Sequence, residues 1–158
     1  VMVQGDEPMT TPEMIDAAVE PMLNDSLVNV VNLMADIPSL EDFENPSEVK
    51  VVVNLKSEAL YFSRESVKKK KKGVDKVPMK KQVCIIPFRR DYLMHYNDLP
   101  ETPLEIIESV DMMRILEHGD KVHMVQTDAR TLSVDTPEDR VAVENQMLGD
   151  PLLTPYMK

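Results

Sequence analysis

The sequence predicts an α/β sandwich in which helices cover a mixed sheet, much of it parallel, with an antiparallel hairpin inserted in the middle. Three observations carry this expectation. Apolar residues switch repeatedly between strand period and helical period along the chain. Two strand-like runs end directly in acidic, proline-containing loops, and no internal repeat is visible. With 158 residues, 42% of them hydrophobic, the chain can bury one core and is short for two.

The elements follow in order. Residues 1–3 read as a strand already under way, so 1–158 is expected to be the carboxyl-side portion of a single longer domain. Thr10-Thr11-Pro12-Glu13 supplies a helix start, with Thr10 as cap and proline in the first turn. Met14, Ile15, Ala18, Val19, Met22 and Leu23 share one face of that helix, and Pro21 is expected to end or bend it. Residues 27–34 form a strand, 39–44 a helical turn, and 49–54 with 59–64 a hairpin. A strand over 82–88 and a short helix over 90–97 come next. Thr102-Pro103 opens a longer helix that runs to His118 and stops at Gly119, with Leu104, Ile107, Val110 and Leu116 as its buried stripe. Strands over 121–127 and 131–134 precede a last helix capped by Thr136, with Pro137 in its first turn and Asp139 three residues after the cap.

Composition narrows the function classes. Cys84 is the one cysteine, which excludes a disulfide framework and a cysteine-built zinc site and suits a reducing, cytoplasmic setting. No apolar run approaches the ~20 residues of a membrane span. The formal charge is −10, unevenly spread. Eight lysines stand between positions 68 and 81 against Asp75 alone, a local +7 that leaves −17 on the remainder. So acidic a body is a poor surface for nucleic acid. The lysine run 68–72 reads first as a solvated loop; the alternatives are a grip on an anionic substrate or a patch for nucleic acid or lipid.

In open α/β sheets ligands lie beyond the carboxyl ends of the strands. That rule selects Val3-Gln4-Gly5-Asp6-Glu7-Pro8 and Val134-Asp135-Thr136-Pro137-Glu138-Asp139. Carboxylates at strand ends hold Mg²⁺ with few protein ligands, phosphate oxygens and water completing the shell. Asp6 and Asp135 are the candidate pair; the plain structural alternative makes Asp6 a turn former and Asp135 part of a helix start. Glu105 and Glu108 either stabilise a helix amino end or accept hydrogen bonds from sugar hydroxyls. Asp111 with Arg114 reads as an exposed i, i+3 pair. His95, His118 and His123 lack metal-ligand spacing, Cys84 reads as an inert core thiol, and the methionines read as core filler. No serine or cysteine nucleophile and no glycine-rich phosphate loop is recognisable.

Taken together, the two acidic loops, Asn45-Pro46 with Val49-Lys50-Val51-Val52, Ala59-Leu60-Tyr61-Phe62-Ser63-Arg64, and Pro103-Leu104-Glu105 with Glu108 resemble the 3-deoxy-manno-octulosonate cytidylyltransferases in order and approximate spacing. The resemblance spans about 1–147. It implies a three-layer α/β/α nucleotidyltransferase fold and a homodimer, with 45–100 a hairpin, dimerisation and substrate subregion. It also implies CTP and an acidic sugar as substrates, giving the CMP-sugar and diphosphate in cell-surface polysaccharide synthesis. By this resemblance Asp6 and Asp135 are catalytic and bind Mg²⁺, while Gln4, Arg64, Gln82, Glu105 and Glu108 line the sugar-acid side. The family's amino-terminal nucleotide-binding section has no counterpart in these residues. The strand Gln82-Val83-Cys84-Ile85-Ile86-Pro87-Phe88-Arg89 lacks the family's histidine and both tyrosines, and Glu65-Ser66-Val67 replaces the usual small-residue-and-proline continuation. These departures admit another acceptor, a nonulosonate or a phosphonate, or a noncatalytic module that binds a partner.

Overall fold

A computed structural model describes residues 1–66, 80–128 and 132–153. The lysine run at 68–72 lies outside the described residues. The mixed sheet with its inserted hairpin is as expected, and helices pack against it. Five strands run in the order β4 (Ala59–Ser63), β3 (Lys50–Val53), β5 (Lys80–Val83), β2 (Val31–Asp36), β7 (His123–Gln126). A separate two-stranded sheet pairs β1 (Met2–Val3) with β6 (Ile85–Ile86). The parallel share is smaller than expected: among the described residues β2 with β7 is the one parallel pair, and the others are antiparallel.

β2 is buried along Val31, Asn32, Leu33, Met34 and Ala35, so it packs on both faces as a central strand must. It begins later than its valine-rich run suggests: Leu27 and Asn29 are exposed, and Val30 makes an isolated bridge to Phe88 while its carbonyl accepts from His123 N at 3.0 Å. One core gathers Phe62, Val51, Ile86, Met112, Met113, Ile115 and Met124; a second joins Met14 and Ala18 to Leu33, Val83 and Ile85. The buried methionines behave as the filler expected of them.

The helices show where local spacing misleads. α1 (Pro12–Asn24) is capped by Thr11, whose hydroxyl accepts from Met14 N at 3.4 Å, one residue later than expected. It continues through Pro21, which removes a single backbone bond. Its end is held from outside: Arg89 donates to the carbonyls of Met22, Asp25 and Val28 at 2.5, 2.9 and 2.9 Å. α2 (Leu40–Glu44) and α3 (Arg90–Asp98) fall where expected.

The long helix is in fact two, α4 (Pro103–Glu108) and α5 (Met112–Glu117), broken at Ser109 with φ 52°. Arg64 explains the break: its guanidinium takes the carbonyls of Glu108 and Ser109 at 3.0 and 3.2 Å, so these oxygens serve the hairpin rather than a continuing helix. The break rotates Ile107 into solvent, 73% exposed, and out of the expected stripe. The expected strand over 82–88 is likewise interrupted, at Cys84, where the chain leaves the main sheet for β1. Residues 132–134 carry no strand, and Thr131 lies outside the described residues. α6 (Pro137–Met147) starts as expected: Asp139 N donates to Thr136 Oγ1 at 3.2 Å while the Asp139 carboxylate accepts from Thr136 N at 2.8 Å.

Candidate functional site

Beyond β1 the backbone turns at 4–7, with Glu7 N donating to Gln4 O at 3.2 Å. The turn leaves Asp6 exposed at its tip and sends Glu7 inward. The second acidic loop lies directly alongside. Val134 N donates to Asp6 O at 2.9 Å, and Ser133 Oγ donates to Glu7 Oε1 at 3.1 Å. Two loops more than 120 residues apart therefore form one ledge carrying Asp6 and Asp135, both solvent-facing. Neither carboxylate has a hydrogen-bond or ion-pair partner among the described residues. Asp135 precedes the cap of α6; its N–H, at 3.3 Å, and that of Thr136 are tied to Asp139, whose carboxyl is held below the ordinary range chiefly by Thr136. Among the described residues no group of three or more histidine, cysteine or acidic side chains could hold a metal. An ion on this ledge would take two carboxylates and complete its shell from substrate and water, the usual Mg²⁺ habit.

Cys84, at the bend after β5, sits beside the ledge. Burial pushes its thiol up to about 12, and the charges acting on it are those of Glu7, Asp111, Asp6 and Arg64. Arg64 donates through Nε to Glu108 O, and through its two terminal nitrogens to Pro46 O and Ser109 O, each at 3.2 Å. Three of its five N–H groups are engaged in these bonds, and two have no partner among the described residues.

The two helix glutamates are differently placed. Glu108 accepts from Tyr61 Oη at 2.8 Å, from Arg64 N at 2.9 Å and from Ser63 Oγ at 3.2 Å, so both its oxygens serve the end of the hairpin. The bond to Glu108 is the main reason the Tyr61 hydroxyl is shifted up. Glu105 is buried and receives Arg114 as a fork, Nε at 2.8 Å and a terminal nitrogen at 2.5 Å. Arg114 therefore pairs with Glu105 rather than with Asp111, because the break at Ser109 turns the two short helices toward each other. Gln82 donates to Asn32 at 2.6 Å within the sheet, and Gln4, half-buried, lines the start of the turn. Sequence reasoning missed Glu7, Ser133 and Ser63. Glu7 was hidden by its neighbours, since an acidic residue in a Gly-Asp-Glu-Pro turn reads as solvent-facing.

A cytidylyltransferase family model matches residues 1–123. The chain belongs to the cytidylyltransferase family. A 3-deoxy-manno-octulosonate cytidylyltransferase of Syntrophotalea carbinolica is 36% identical over 157 residues, covering 94% of this chain and 63% of that protein. The same-named protein of Geotalea uraniireducens is 38% identical over 149 residues, covering 88% of this chain and 59% of its own length. A solved structure of CMP:2-keto-3-deoxy-manno-octonic acid synthetase complexed with CTP superposes with a TM-score of 0.83 at 35% identity, covering 92% of this chain and 60% of that one. This cytidylyltransferase chain spans less than two thirds of the length of these relatives, and the nucleotidyltransferase fold expected from its motifs is the fold it has. Among the described residues no helix is long and apolar enough to cross a membrane.

Proposed function

We propose that this chain is part of a cytidylyltransferase that joins CTP to 3-deoxy-manno-octulosonate, forming the CMP-sugar and diphosphate for cell-surface polysaccharide. The observation that carries the reading is the Val134 N to Asp6 O bond of 2.9 Å, which makes one ledge of the two acidic loops. The relatives named for this reaction and the CTP complex of a similar structure support the same reading.

In this reading a sugar hydroxyl oxygen bonds to the α-phosphorus, the bond to the β-phosphate oxygen breaks, diphosphate leaves and the hydroxyl proton passes to solvent. Asp6 and Asp135 would hold Mg²⁺, which when bound offsets the charge on phosphoryl oxygens. Arg64 is the group for the sugar carboxylate: its two uncommitted N–H groups match a planar anion, and its bonds to Pro46, Glu108 and Ser109 hold the fork still. Glu108 and Glu105 act through their partners, Glu108 by fixing the Ser63 and Arg64 end of β4 and Glu105 by fixing Arg114. Gln4 and Gln82 complete the sugar-acid side. The reading places the reaction in the cytoplasm and in a homodimer.

The test is diphosphate release from CTP, with a panel of sugar acids, by the protein that carries this chain. Asp6→Asn or Asp135→Asn is expected to cut turnover by at least ~10³-fold, in the range lost with an essential electrostatic group, while the unfolding midpoint stays put. Full turnover in either variant refutes the metal assignment. Release with another acid and none with octulosonate refutes the acceptor, and light scattering reads the homodimer directly.

A further inference from the structure

We infer that Glu7 is a positioning residue: its carboxyl latches residues 133–134 onto the turn at 4–7 and so sets how Asp6 and Asp135 face a shared cation. The inference rests on the metal reading above. Glu7 is 6% exposed, although it stands in a surface turn between two exposed residues, Asp6 and Pro8. The turn itself does not require an acid there. Its bonds, Glu7 N to Gln4 O and Thr10 N and Oγ1 to Glu7 O, are all made by the Glu7 backbone.

The side chain therefore has other work, and its partner says what. Ser133 Oγ donates to Glu7 Oε1 at 3.1 Å, two residues before Asp135. The neighbouring bond, Val134 N to Asp6 O, involves only backbone and tolerates many sequences. A single hydrogen bond between two strands of chain is a pivot. A second one on the adjoining residues removes the rotation, and the exposed carboxylates on either side of the latch then keep one mutual orientation. Among the described residues these two are the hydrogen bonds that join that segment to the turn.

The surroundings of Glu7 fit a latch rather than a surface acid. Oε2 is buried with no hydrogen-bond partner among the described residues, a cost that a turn residue without a task would shed by substitution. Burial pushes the carboxyl up, against the Ser133 bond and the Lys81 charge, with Asp6 and Glu48 adding to the rise. Lys81 is itself paired with Glu48 at 3.0 Å, so it supplies field to Glu7 but no bond. The Ser133 hydroxyl remains its one direct partner among the described residues.

Groups that orient metal ligands typically account for ~10–100-fold in metal affinity. The experiment is a Mn²⁺ titration of the protein, read from the electron paramagnetic resonance of the free ion, with turnover measured over the same metal range. Ser133→Ala deletes one hydroxyl and spares the core. It is expected to weaken Mn²⁺ binding by about 10-fold, to raise the metal concentration needed for half-maximal turnover by the same factor, and to recover most of kcat in excess metal. Glu7→Ala should match it, and Glu7→Gln, which keeps an oxygen for Ser133, should stay within about 3-fold of wild type, well under that range. Asp6→Asn should lose Mn²⁺ binding altogether. Wild-type Mn²⁺ affinity in both Ser133→Ala and Glu7→Ala, beside its loss in Asp6→Asn, overturns the latch and leaves the metal reading standing. Binding retained in Asp6→Asn and Asp135→Asn overturns both.

Discussion

Arg114→Ala isolates the ion pair that joins α4 to α5. The Glu105 and Arg114 side chains are only 11% and 16% exposed, and the guanidinium meets both carboxylate oxygens. Exposed pairs contribute ~0–1 kcal/mol, whereas removing one partner of a buried pair costs ~3–5 kcal/mol. This pair stands near the buried end, so a loss of about 3 kcal/mol is expected. With an m-value of about 2 kcal/mol/M in urea the midpoint falls by about 1.5 M. Arg114 also donates to Leu99 O at 3.3 Å and stacks 5.0 Å over the Tyr96 ring, so the pair itself is read from a cycle with Glu105→Ala. A coupling of about 2 kcal/mol is expected, and losses that add to within about 0.5 kcal/mol refute the pairing. The pH dependence is a second check. The Arg114 guanidinium is the main cause holding the Glu105 carboxyl below its ordinary 4.5. Its contribution is thus complete above pH 4.5 and lost as pH falls through the folded value, and the wild-type and Arg114→Ala midpoints should converge in acid.

Other expectations are simpler. Ser109→Gly should stabilise the chain by about 0.5–1 kcal/mol in urea unfolding, because φ 52° suits glycine, and Ser109→Val should destabilise it. Thr136→Ala should cost about 1 kcal/mol by removing the α6 cap, with Asp139→Ala acting in the same direction. The Cys84 thiol, pushed up to about 12 by burial, should resist alkylation at pH 8 in the folded protein and react on unfolding. Rapid modification of the native protein would show that the bend after β5 is open to solvent.

The sequence was most legible where a local signal and the fold agree. Thr136-Pro137 with Asp139 opens α6 as its spacing says, and the hairpin β3–β4 follows from β-branched runs around a turn. The ledge was half legible: the rule of strand-end carboxylates selected Asp6 and Asp135, though no strand precedes Asp135 over 132–134, and the bonds from Ser133 and Val134 that join the loops link residues more than 120 positions apart. The failures have the same origin. Spacing favours one helix over 103–118, and the intervention of Arg64, 45 residues upstream of Ser109, ends it at Glu108. Asp111 and Arg114 are neighbours on an ideal helix, yet the fork went to Glu105 once that helix was broken. Cys84 looks like mid-strand from its apolar neighbours, and only the pairing of β6 with β1 reveals the bend.

The hold of Arg89 on the end of α1 bears on the order of assembly. α1 carries no basic residue in its last turn, and the cation that takes the carbonyls of Met22, Asp25 and Val28 arrives 61 to 67 positions later in the chain. An α1 formed early therefore has a frayed end, and it closes only after β6 has docked and α3 has begun at Arg90. Amide hydrogens in the final turn of α1 should accordingly become protected together with those of β6, later than the Thr11 end of the same helix.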